Sequence, residues 1–256
     1  MKASTNRFYK TVDVAMRSAS DGDGAQILLD TRPIRTPGGR ALFLPSQACA
    51  EAIAAEWRAQ GKRIDVNTMP LTQLANTALD RIGPNAAAMI DMLLGYAGAD
   101  LLCYRAEAPA DLALRQHKQW QPLLDWAAVR WDAHLTVTSG IIPVTQPAAA
   151  MAALNRPLAG FDAWELTVAA IVTQTCGSLI LALALLDDHI DADTAFALSQ
   201  LDETYQCERW GEDYEAARRR RQLHGEIGDA YRFMLLTRGI DKAWRPDPPD
   251  QGEKRE

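Results

Sequence analysis

The amino-acid sequence predicts an α+β protein, with a small antiparallel β-rich N-terminal lobe followed by a larger, mainly α-helical C-terminal domain. Three observations carry this reading. From Phe8 to Met16 apolar residues fall on even positions (Phe8, Val12, Val14, Met16), the two-residue period of a half-buried strand. After Ser46 the period changes, with Cys49, Ile53 and Trp57 four residues apart on one helical face. From Pro147 onward the pattern is helix after helix. At 256 residues the chain is long enough for two compact parts. The expected division is a β-rich domain with one helix over 1–75, a mainly helical domain over 76–244 and a disordered tail over 245–256, where Pro246, Pro248 and Pro249 stand among charges.

The N-terminal strands are expected at Phe8 to Met16, Gln26 to Asp30, Arg32 to Thr36 and Ala41 to Leu44, separated by turn-formers that include Pro37-Gly38-Gly39. They read as an antiparallel meander. Ser46 is a plausible N-cap for the first helix, and Gly61 ends it. Pro70 opens a second, with Leu71, Leu74, Ala75, Ala78 and Ile82 on its apolar side. The domain boundary therefore falls near residues 66–84. Asp111 starts a longer helix through Leu112, Trp120, Leu123, Leu124, Ala127 and Trp131, which Pro122 should kink or divide. Leu101 to Arg105 and Leu135 to Ser139 are β-compatible and could pair. Four helices are then expected, near 148–158, 162–186, 191–210 and 212–236.

The net charge of -6 argues against general nucleic-acid affinity, because phosphate backbones reward an excess of Lys and Arg. The run Arg218 to Arg221 follows Glu212, Asp213 and Glu215, so ion pairing on one helix accounts for it. Four cysteines without paired spacing fit reduced thiols, and the polar N-terminus carries no secretory signal, so a cytoplasmic protein is expected. Leu166 to Leu186 is uncharged and long enough to cross a bilayer. Gly177 breaks it, however, and its flanks are acidic, which favours two buried helical segments over stable membrane insertion.

Catalytic and binding motifs do not assemble. No glycine-rich phosphate loop is present, and Asp-Gly-Asp-Gly at 21–24 reads as a hairpin turn. The four histidines show no metal-ligand pairing. Asp187, Asp188, His189, Asp191 and Asp193 cluster, but at a helix junction where Asp191 can cap. Ser178 lacks a nucleophile elbow, and Cys103 has Pro109 where a thiol phosphatase needs arginine. No enzyme, cofactor or metal is expected. The rivals are a small-molecule enzyme with an inter-lobe site built from distant acids, His134 and Arg105, and a stable structural subunit.

The unusual segment is Ser199 to Asp213. Leu198, Leu201 and Tyr205 form one apolar row, and Glu203, Cys207, Trp210 and Tyr214 form a second, mixed row. An acid beside two large aromatics suits a protein contact. The plainer alternative is that Trp210 fills the core and Gly211 caps the helix.

Several strings together resemble the ATP synthase assembly chaperones that bind the alpha subunit of the catalytic head, the Atp-twelve family of mitochondria and alphaproteobacteria. They are RFYK at Arg7 to Lys10, TRPIRTPGGRAL at Thr31 to Leu42, AEWRAQGKRID and MPLTQLANTALD between Ala55 and Asp80, and LDETYQCERWGED at Leu201 to Asp213. DLLCYRAE, QWQPLLDWA and GSLILALAL look similar too, so the likeness runs over nearly the whole chain. The resemblance implies a β-rich N-terminal lobe, a mainly helical C-terminal lobe, no nucleotide requirement and the unassembled alpha subunit as partner; the chain itself is expected to be a monomer. It places the acidic site at Asp202 and Glu203, where Asp202 stands in place of the Glu of many relatives, followed by Trp210 and Gly211. Trp57 matches a family tryptophan, although its spacing with Ile53 suggests lobe packing.

Overall fold

The computed structural model describes residues 6–19, 22–140 and 142–241. The expected tail at 245–256 and Asp21 of the hairpin turn lie outside them. Within the described residues a small antiparallel sheet comes first and a helical body follows, as the alternation and the later helical spacing predict.

In the sheet, β1 (Val12–Ala19) and β2 (Gly22–Leu29) pair antiparallel in a register that sets Val12 opposite Leu29 and Val14 opposite Ile27. The short strands β3 (Arg32–Pro33) and β4 (Phe43–Leu44) both pair with β2, at its end and its middle. Alternation holds over Val12 and Val14, but Phe8 is exposed and precedes the strand, and Met16 is also exposed. The even-position pattern therefore overstates the strand at its start and falls short at its end, where pairing runs on past the exposed Met16 to Ala19.

Helix α1 (Gln47–Arg58) lies on the sheet, its Cys49, Ile53 and Ala54 fully buried. Ser46 caps it by accepting from the Cys49 N–H at 2.9 Å. The same hydroxyl donates to the Leu236 carbonyl at 2.5 Å, joining the start of α1 to the end of the last helix. The helix stops at Arg58, before Gly61.

Helix α2 (Pro70–Thr77) begins with Pro70 in its first turn, where a missing N–H costs nothing. Its N-terminal amides are satisfied from α1: Glu56 accepts from the N–H of Leu71 and of Thr72, both at 2.8 Å. The chain continues through a π-helical turn at Ala78–Ile82 into α3 (Ala86–Gly98). Asp80 in that turn holds the Gly38 N–H at 2.7 Å and the Thr36 hydroxyl at 2.6 Å. A Cβ on Gly38 would meet this carboxylate at 2.6 Å, so the close approach requires glycine. Two strings that carry the family likeness thus touch. So do two others, since Arg7 donates to the Gln60 carbonyl at 2.7 Å and the Tyr9 hydroxyl to the Trp57 carbonyl at 2.7 Å.

Tyr104–Arg105 (β5) and Thr138–Ser139 (β6) form the expected pair, in parallel orientation. Between them, α4 (Ala110–Trp131) runs unbroken through Pro122, which neither divides it nor starts a new helix. Leu123, Leu124 and Ala127 are buried just beyond the proline, and this packed face outweighs the one lost backbone bond.

The body is built around α6 (Ala163–Cys176) and α7 (Leu179–Leu186), with α5 (Ala148–Gly160) beside α3 and α4. Asp162 and Glu165 form a capping box at the start of α6. Gly177, at φ +70, makes the left-handed break between α6 and α7. Every residue of α7 is buried, which explains the uncharged stretch as protein core. Each such leucine contributes about 1.5–3 kcal/mol by burial. By length and composition one further run, Pro70–Cys103, is apolar enough to cross a bilayer.

The expected helix over 191–210 is two. Gln200 separates α8 (Ala192–Ser199), capped by Asp191, from α9 (Leu201–Trp210). Helix α10 (Tyr214–Thr237), capped by Asp213, returns along α6 and reaches α1 and α2.

Candidate functional site

One side of α9 is fastened to α4. Asp202 accepts from the Gln116 side-chain amide at 2.8 Å, and the Tyr205 hydroxyl donates to Asp111 at 2.9 Å. Arg209 pairs with Asp111, and Arg115 grips Glu208 with two bonds of 2.6 and 3.0 Å. Leu198, Leu201 and Tyr205 are buried, as their spacing predicts. Behind Asp202 lies a polar network. Gln116, fully buried, accepts from the Ala106 N–H at 2.7 Å and, through its carbonyl, from Arg105 at 2.9 Å. Arg105 stacks over Trp120, and its other terminal nitrogen finds no partner among the described residues. Burial pulls the Arg105 pKa down, and the nearby charges of Cys103 and Asp202 oppose that shift.

The opposite side of α9 faces away from α4. Glu203 is exposed, Cys207 half-buried and Trp210 76% exposed. Trp210 therefore does not fill the core, and that alternative is overturned. Gly211 does cap the helix, in a conformation (φ 84, ψ 162) that side chains resist. The turn breaks the mixed row before Tyr214, which begins α10 and is 74% exposed. The four named residues of the α9 end thus separate into Asp202 turned inward, and Glu203, Trp210 and Gly211 around a cleft.

That cleft, about 590 Å3, lies between α9, the end of α6 and the first half of α10. Arg220 reaches across it, donating to the Thr204 hydroxyl at 2.9 Å and pairing with Glu212 at 3.1 Å. Of the arginine run this is the member the expected ion pairing reaches; the pair runs to Glu212 in the turn rather than along one helix. A second cavity of about 820 Å3 continues between α10, α6 and α2. Both are lined by Gln174, Thr175 and Leu223, so the two lie side by side along α10 and are together termed the trough.

Trp57 stands elsewhere. Its ring packs edge-on to Tyr9 with centroids 5.6 Å apart and lines a different cavity, with Phe8 and Arg32 of the sheet region. The inter-lobe alternative is not assembled either: Arg105 is committed to Gln116 and Trp120, while His134 is exposed beside Asp132 at 3.4 Å. In the acidic cluster, Asp187 pairs with Arg130, Asp188 with Arg238 and Asp193 with His224. Among the described residues no group of three or more His, Cys, Asp or Glu side chains is placed to hold a metal.

Sequence reasoning missed Gln116 and the α10 wall. Gln116 had a visible signal, because it stands four residues from both Leu112 and Trp120 on the apolar side of α4. A polar residue in such a row needs buried partners.

Residues 6–128 match the model of the ATP12 chaperone protein family. The fold matches the crystal structure of Atp12 from Paracoccus denitrificans with a TM-score of 0.85 and 43% identity, over 91% of this chain and 98% of that one. The chain belongs to the Atp12 chaperone family. The D202K mutant of P. denitrificans Atp12p matches equally well, with a TM-score of 0.85 and 42% identity over the same shares. Protein atp12, mitochondrial, of Schizosaccharomyces pombe is 24% identical over 220 residues, 81% of this chain and 74% of that protein. The structural likeness, over 91% of the chain, reaches well beyond the residues that the family model matches. It makes this chain a chaperone of ATP synthase assembly.

Proposed function

We propose that this chain binds the unassembled alpha subunit of the ATP synthase catalytic head through the α9–α10 face, shields its beta-facing surface and releases it during assembly without consuming ATP. An orphaned subunit exposes apolar area meant for its neighbour, and such area aggregates. Covering it keeps the subunit soluble. Release then follows by mass action when the beta subunit binds the same surface more tightly, which needs no hydrolysis by the chaperone.

The observation that carries this reading is Trp210, three-quarters exposed at the rim of a cleft on a helix otherwise bolted down. Exposed tryptophan flanked by an acid and a second aromatic is the composition of an interface anchor. Asp202, engaged with Gln116, positions α9, and Glu203 meets the client. Trp57 supports the lobe rather than the contact.

The test is suppression of aggregation of isolated alpha subunit. Trp210→Ala and Glu203→Lys should keep the wild-type melting temperature and weaken binding, the tryptophan variant by about 2 kcal/mol, or roughly thirtyfold. Full protection by both variants would place the client elsewhere.

A further inference from the structure

The floor of the larger cavity holds a carboxylate whose surroundings leave it unfinished. Asp229 on α10 lines that cavity together with Glu226, Leu74 of α2 and Ile171 of α6. It is half-buried, yet it makes no hydrogen bond and no ion pair within 4 Å among the described residues. The other withdrawn carboxylates all have partners: Glu56 holds the first turn of α2, Asp100 the first turn of α7, Asp80 the Gly38 loop and Asp202 the Gln116 amide. Desolvation pushes the Asp229 carboxyl up to about 6; Arg232 pulls it down and Glu226 raises it further. The same charge bears on Glu56 across the α1–α10 contact.

Withdrawing a carboxylate from water without a partner costs stability, and a fold that tolerates this keeps the group for something that arrives later. No lysine, arginine or histidine lines this cavity, whereas Glu226 and Asp229 both do. Its remaining polar lining is amide and hydroxyl, including Gln73, Gln174 and Gln222, groups that can donate to and accept from a peptide backbone. The cavity adjoins the cleft under Trp210, and Gln174, Thr175 and Leu223 line both.

We propose that Asp229, with Glu226 beside it, receives an arginine or lysine side chain from the client segment that lies along the trough. This rests on the reading of the trough face as the client surface and adds the chemistry of its far end. Aromatic anchoring at Trp210 supplies area; the acidic floor selects a cationic residue and sets how far along α10 the segment reaches.

The variant Asp229→Asn keeps the shape and removes the charge. Its effects on folding and binding should have opposite signs. Relief of the unpaired carboxylate should raise the melting temperature by about 2–4 °C, while affinity for isolated alpha subunit falls at least tenfold, with a shallower salt dependence than wild type. Asp229→Glu should retain most of the binding. Wild-type affinity in Asp229→Asn, or a lowered melting temperature showing that the carboxylate is already satisfied within the fold, would overturn the proposal and leave the trough reading standing. Failure of the unaltered chain to bind alpha at all would remove both.

Discussion

Gly211 is the residue on which the candidate surface turns. Its backbone lies in a region open almost solely to glycine, and a Cβ built there meets nothing within 4 Å. The cost of Gly211→Ala is therefore backbone strain alone, about 1–3 kcal/mol. The expected outcome is a lower unfolding midpoint in denaturant with an unchanged slope, together with weaker client protection, because Trp210 and Tyr214 flank the strained link. An unshifted midpoint would show that the turn relaxes freely. Asp100 shows the opposite economy at the same scale. Fully buried, it accepts from the N–H of Leu102 and of Ile180, both at 3.1 Å, so one carboxylate starts two helical turns. Burial still wins, and its pKa is pushed up to about 6 against those donors.

At the scale of elements, α9 is held by polar bonds to α4 more than by apolar area, with Leu201 and Tyr205 its buried members. Asp202→Lys would set an ammonium toward the Gln116 amide and the charge of Arg105. Loss of that hydrogen bond costs about 1.5 kcal/mol locally, so backbone amides of α9 should exchange about tenfold faster while those of α6 and α7 keep their protection. Uniform protection across all three helices would contradict a positioning role. Much of this architecture was legible beforehand. Ser46 as a cap, Pro70 at a helix start, the break at Gly177 and the buried row Leu198, Leu201, Tyr205 all follow from local chemistry, and all are present. Helix boundaries were less legible. Nothing in the spacing from Asp191 to Trp210 marks Gln200 as an interruption, because the apolar row runs straight across it. Pro122 left a kink and a new helix both open, because the packing that carries α4 through a proline comes from distant helices. The trough was invisible, because α9 and α10 meet walls from α2 and α6 that lie far from them in sequence.

At the scale of the whole molecule, withdrawn carboxylates give the fold an unusual response to acid. Asp100 and Asp229 titrate near 6, and burial raises Glu56 as well. A carboxyl with a higher pKa in the fold than in the unfolded chain stabilises fully below about 4, and that contribution disappears as pH rises through about 6. The exposed carboxylates Asp30, Asp111 and Glu208 are shifted down by their hydrogen-bond partners, so their contribution is lost only at lower pH. As pH falls from 7.5 to 5 the melting temperature should therefore rise, with Asp100 contributing on the order of 1 kcal/mol over that interval. A flat or falling profile by calorimetry over that interval would refute it.

The clasp between Ser46 and Leu236 has a temporal corollary. Residues 190 positions apart must meet before α1 is tied to its last neighbour, and α10 is also one wall of the trough. A chain folded only as far as its sheet and α1 therefore lacks one wall of the trough, which is complete only once α10 has docked.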